Sequence, residues 1–102
     1  MSIESTWNDG NKTLVIDIGD TFNYSSQQVF REAYINREQP GLIVKINMAM
    51  TEFMDSAALG MLIQLRKFVE SQKGKIVLVS PRDTVLKILK TAQFDRLFKI
   101  EA

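Results

Sequence analysis

Cysteine and histidine are both absent from this 102-residue chain. Without cysteine no disulfide framework can form, so nothing in the sequence asks for an oxidising compartment. Without histidine the Ser-His and Cys-His nucleophile pairs are excluded, as are most zinc sites. The acidic residues fall in no ligand-like spacing, so no metal and no cofactor is expected. Charge of one sign is missing too: 13 basic residues face 12 acidic ones, for a net charge of +1. Lysine and arginine are scattered, with no interleaved aromatic stripe, which argues against nucleic-acid binding. The longest apolar run, Ala57 to Ile63, falls far short of the roughly 18 residues of a membrane span. The opening "MSIESTWNDG" has no basic segment leading into an apolar one, unlike a signal peptide. A soluble, cytoplasmic protein is expected. The five glycines are dispersed and make no phosphate-cradling loop. With no histidine in the chain and no lysine near Ser56 in sequence, no catalytic residue is assigned and the chain is not expected to be an enzyme.

What is present is an ordinary globular balance, 45% apolar and 25% charged. The length suits one domain over residues 1–102. "SIESTW", the Asp-Gly turn signal "NDGN" and "KTLVIDI" read as a hairpin. "YSSQQVFREAYINRE" reads as a first helix, with a capping box from Ser25 to Gln28 and an apolar face of Val29, Phe30, Ala33 and Tyr34. "LIVKINM" and "KIVLVS" read as strands buried on both faces. Between them "DSAALGMLIQLRKFVESQKG" is a second helix, with Ala58, Leu62, Leu65 and Val69 on one face and Gly74 as its stop. "SPRDTVLKILKTAQF" is a third, with Ser80 as N-cap, Pro81 as first residue, Asp83 closing the box, and Val85, Ile88, Leu89 and Ala92 inward. "RLFKIEA" reads as a terminal edge strand. The order β-β-α-β-α-β-α-β predicts an α/β domain, a mixed central sheet of about four to five strands with three main helices. Residues 13–18, 42–48 and 75–80 are expected side by side in its middle, with the N-terminal strand at an edge.

One stretch raises a question of function. In "TEFMDSAALGMLIQL" an acid and a hydroxyl, Asp55 and Ser56, open a run of small and apolar side chains. Both are favoured N-cap residues, because a side-chain oxygen can accept from an unpaired helix N–H. Ala57, Ala58 and Gly60 cluster in the first turn, although glycine inside a helix costs about 1 kcal/mol relative to alanine. Either Gly60 packs tightly against a strand, or the helix start is left open for a partner. A helix N-terminus also accommodates a phosphate, since free N–H groups and the dipole favour negative charge.

"FMDSAALGML" resembles the D-S-(S/T/A)-(G/A)-L-G signature of STAS domains, specifically bacterial anti-sigma factor antagonists. The likeness extends through "GDTFNYSS" after the second strand, the strand before the signature, and "VLKILKTAQFDRLFKI" near the end. It implies a phosphorylation-switched binding protein. The unmodified form binds a partner of the anti-sigma factor and serine kinase type, phosphorylation ends the binding, and a metal-dependent serine phosphatase restores it. Many members carry two hydroxyl residues after the Asp; here the second is Ala57, so the acceptor is Ser56. The loop after the second strand often carries an Asp where this chain has Asn23. The resemblance assigns partner contact to Asp55, Asn23, Ala57, Gly60, Met61 and Gln64. The alternative is a STAS subunit that binds an ATPase or scaffold constitutively, with Ser56 only a helix cap.

Overall fold

The computed structural model describes residues 3–8, 10 and 12–102. Strand β1 (Glu4–Asn8) pairs antiparallel with β2 (Thr13–Asp17), running Glu4↔Asp17 to Asn8↔Thr13. Asp9 and Asn11 of the expected turn lie outside the described residues; Gly10 has a φ of +64°. A two-residue strand β3 (Thr21–Phe22) leads into a 3-10 turn and helix α1 (Gln27–Glu32). Then come β4 (Ile43–Asn47), a second two-residue strand β5 (Phe53–Met54) and helix α2 (Ser56–Ser71). Strand β6 (Lys75–Val79), helix α3 (Asp83–Thr91) and strand β7 (Lys99–Glu101) complete the chain. The main sheet has the order β1-β2-β4-β6-β7, and β3 pairs with β5 in a separate parallel ribbon.

The expected neighbours are there: β4 lies parallel between β2 and β6, with Leu14↔Val44↔Ile76 and Ile16↔Ile46↔Leu78 in register. From β2 onward each crossover steps one strand in the same direction. Such crossovers are right-handed, so three successive steps in one direction lay their helices over one face of the sheet. That face holds the core. Leu14, Ile16, Val44, Ile46 and Leu78 are fully buried beside Ala58, Leu62 and Leu65 of α2 and Val85 and Leu89 of α3. A file of rings, Phe22–Phe30, Phe30–Tyr34 and Tyr34–Phe68, with centroids 4.9, 5.6 and 5.2 Å apart, fills the space between α1 and α2. The opposite face carries Val15, Lys45 and Lys99 in register with Val77. β4 is therefore not buried on both faces as its composition suggested, since it alternates buried and half-buried residues along its length, whereas β6 buries Val77 and Leu78 on opposite faces at its centre.

The helix ends depart from expectation for identifiable reasons. The first helix is shorter than its apolar period, and the box that starts its leading turn is Asn23 with Ser26, not Ser25 with Gln28. Val29 is exposed. α2 ends in a complete Schellman pattern, Gly74 N–H to Val69 O at 2.9 Å and Lys73 N–H to Glu70 O at 3.0 Å. Lys73, not Gly74, takes the left-handed conformation, with φ +56°. Glycine is required one place later because a Cβ on Gly74 would collide with the backbone carbonyl of Leu42. α3 begins at Asp83, with Arg82 in the N-cap position and no side-chain cap. Ser80 cannot cap it: its N–H donates to Glu101 O at 2.7 Å, and its φ is +54°. Ala92, expected inward, is exposed.

Candidate functional site

Three loops leave the carboxyl ends of β2, β4 and β6, the end where ligands gather on parallel sheets. They are laced together. Thr51, fully buried, donates its hydroxyl to Gly19 O at 2.7 Å, and Glu52 N–H donates to Asp20 O at 2.8 Å. The β3–β5 ribbon extends this seam. From the third loop, Arg82 Nε donates to Ala49 O at 2.8 Å, and its guanidinium pairs with Glu52 at 3.6 Å.

Asp55 closes the seam. Its Oδ1 accepts from Ala58 N–H at 2.9 Å, which caps α2, and its Oδ2 accepts from Tyr24 N–H at 3.1 Å, which holds the 3-10 turn. A carboxylate offers two oxygens, so one side chain serves both elements. Ser56, the first residue of α2, is exposed and takes no part in the cap. Of the two N-cap candidates, the cap is Asp55, and not Ser56 as the constitutive alternative had it. Asn23 is half-buried, and its Oδ1 accepts from Ser25 N–H at 3.0 Å and Ser25 Oγ at 2.6 Å. Its acceptor is thus committed to its own turn, while Asp55 reaches the next residue along.

The other residues assigned to partner contact divide by their position around α2. Gly60 and Gln64 are exposed, and Ala57 is half-buried. Gly60 does not pack against a strand: an added Cβ would meet nothing within 4 Å. Met61 is 4% exposed and belongs to the core, which removes it from a contact surface in the folded chain. Residues that the sequence reading passed over stand out instead. Tyr24, Met50 and Phe53 are 71%, 65% and 54% exposed, and all three sit on the two loops that flank Ser56. One turn along α2 from Ser56, Leu59 opens a groove of about 420 Å³ toward α3, lined by Thr84, Lys87, Ile88, Thr91 and Ala92. No periodicity marks the loop aromatics, and only the fold brings residues 24, 50 and 53 to one end.

No helix among the described residues is long and apolar enough to cross a membrane. The STAS domain model matches residues 2–102. A STAS-domain containing protein of Pseudomonas aeruginosa is 31% identical over 100 residues, covering 98% of this chain and 99% of the relative. Two solved structures share the fold. The anti-sigma factor antagonist SpoIIAA in its unphosphorylated form superposes with a TM-score of 0.84 at 18% identity, covering 99% of this chain and 88% of the other. An anti-sigma-factor antagonist (STAS) domain protein from Planctomyces limnophilus gives 0.82 at 16% identity, covering 98% and 89%. Family model, relative and fold agree, and the chain belongs to the STAS domain family.

Proposed function

We propose that this STAS domain is a phosphorylation-switched protein-binding regulator, acting through partners and not as an enzyme. The unmodified form binds a protein of the anti-sigma factor and serine kinase type. Phosphorylation of Ser56 releases that partner, and a serine phosphatase resets the switch in the cytoplasm. The observation that carries this reading is the exposed Ser56 at the start of α2, free of the capping bond, with Tyr24, Met50 and Phe53 exposed on the two loops that meet at that end of the sheet. Large exposed apolar side chains gathered at one end of the sheet suit a protein partner. A phosphoserine adds about −1.5 to −2 charges at neutral pH. Bare N–H groups of the first helical turn tolerate that charge within the domain, whereas an apolar partner surface does not.

The test is affinity capture from native cells with Ser56→Ala and Ser56→Asp baits, then calorimetric titration of the purified retained protein against the phosphoserine-56 form. Ser56→Ala is expected to hold the partner permanently. Phosphoserine is expected to cost about 4 kcal/mol, roughly a thousandfold in affinity. Equal binding by the unmodified and phosphorylated forms would instead identify a constitutive STAS subunit of an ATPase or scaffold. Intact-mass analysis of native protein supplies the second arm, an added phosphate on Ser56.

A further inference from the structure

Both ends of the main sheet present an edge strand, β1 on one side and β7 on the other. Unpaired edges are templates for pairing with another strand, and proteins blunt them with short strands, lysine, proline or bulges. β7 is blunted. It has three residues, two of them charged, with Lys99 and Glu101 paired at 3.7 Å. β1 is not. It has five residues, Glu-Ser-Thr-Trp-Asn, with no proline, no lysine and one charge at its end. Its register with β2 is regular throughout, without a bulge.

We propose that β1 pairs antiparallel with β1 of a second copy, across a two-fold axis at Thr6, so that two sheets become one continuous sheet in a homodimer. A two-fold contact must be complementary to itself. Centring on Thr6 is the register that pairs all five residues of the strand. It sets Glu4 opposite Asn8, Ser5 opposite Trp7 and Thr6 opposite Thr6. No like charges meet, and each Glu4 carboxylate faces an amide that can donate to it. Threonine opposite threonine is a favourable cross-strand pair. Glu4, Thr6 and Asn8 are the exposed residues of the strand and share the helix-free face. Half-buried Trp7, with the Arg37 guanidinium 6.0 Å from its ring centroid, lies on the helix-covered face opposite Ser5 of the other copy. The contact includes none of the loops around Ser56, so it stands or falls apart from the proposed switch.

Sedimentation velocity of the whole chain from micromolar to millimolar concentration tests this, with tryptophan emission followed in parallel. Trp7 is the single tryptophan, so its fluorescence reports on the contact itself. The expected result is a mass rising from the 11.6 kDa of one chain toward that of two, with a blue shift of emission over the same range. Thr6→Lys sets two ammonium groups against each other across the axis and is expected to weaken association by about tenfold or more. Because Thr6 is exposed, this variant keeps its circular dichroism and melting temperature. Glu101→Lys, on the opposite edge, is expected to associate like the parent chain. A chain that stays monomeric throughout overturns the proposal. So does association that leaves Trp7 emission unchanged, or a Thr6→Lys variant that dimerises as well as the parent.

Discussion

Asp55 and Ser56 are adjacent in sequence and divide their work sharply. The carboxylate of Asp55 holds Ala58 N–H and Tyr24 N–H, while the Ser56 hydroxyl faces solvent. Losing an N-cap side chain costs about 0.5–2 kcal/mol, and an exposed hydroxyl outside any such bond contributes little. Asp55→Ala is therefore expected to lose about 1–2 kcal/mol, a fall in Tm on the order of 4–8 °C per kcal/mol, and Ser56→Ala less than about 0.5 kcal/mol. Thermal and urea unfolding of the two variants check this, and an equal loss in both would mean that the cap is shared. Half of this site was legible beforehand. The three-residue spacing from Asp55 to Ala58 is a local capping pattern. The bond to Tyr24 spans 31 positions, beyond any local spacing, and only the family resemblance, which grouped Asp55 with Asn23 of that loop, pointed toward it. Nor did spacing tell an exposed Met61 from a buried one, since it stands on the border of the apolar stripe of α2.

At the scale of elements, type and order followed from periodicity, and the ends did not. Helix boundaries here are set by contacts with distant strands. Ser80 looks like an N-cap in sequence, yet its N–H is taken by Glu101 O, and α3 starts three residues later. Gly74 looks like the left-handed stop of α2, yet Lys73 holds that conformation while Gly74 lies against Leu42 O. The two positions predict opposite effects from reciprocal substitutions. Gly74→Ala forces the Leu42 carbonyl aside and is expected to destabilise by about 1–3 kcal/mol, the range for overpacking. Lys73→Gly relieves a left-handed side chain and is expected to stabilise by about 0.5–1 kcal/mol. Chemical denaturation of both variants decides it. If Gly74→Ala were neutral and Lys73→Gly destabilising, the close approach of β4 to this turn would be refuted.

Across the whole molecule, three crossovers in one direction leave one sheet face free of helices and bring three loops to one end. Nothing in "LIVKINM" or "KIVLVS" revealed that helices cover only one face, because Ile43 and Val77 of the helix-free face look like core residues in a string of letters. Arg82 is the clasp between the third loop and the second, through Ala49 O and Glu52. Removing it leaves the β3–β5 seam and Asp55 intact, so Arg82→Ala is expected to speed amide hydrogen exchange over residues 49–53 while the central strands keep their protection. Exchange mapped by mass spectrometry reads this directly; unchanged rates in that loop would show that the seam alone orders it.

The placement of the cap one residue before the exposed hydroxyl has a consequence for how such a chain can change over time. Selection for a folded domain acts on position 55, where a carboxylate joins a helix to a loop. Position 56 is released from that duty. Serine, threonine, alanine or an acid can be tried there without the domain failing, so the switch proposed at Ser56 and its loss lie a single substitution apart on one unchanged scaffold. The fold itself does not call for a hydroxyl at 56; under the proposed switch its surface chemistry does.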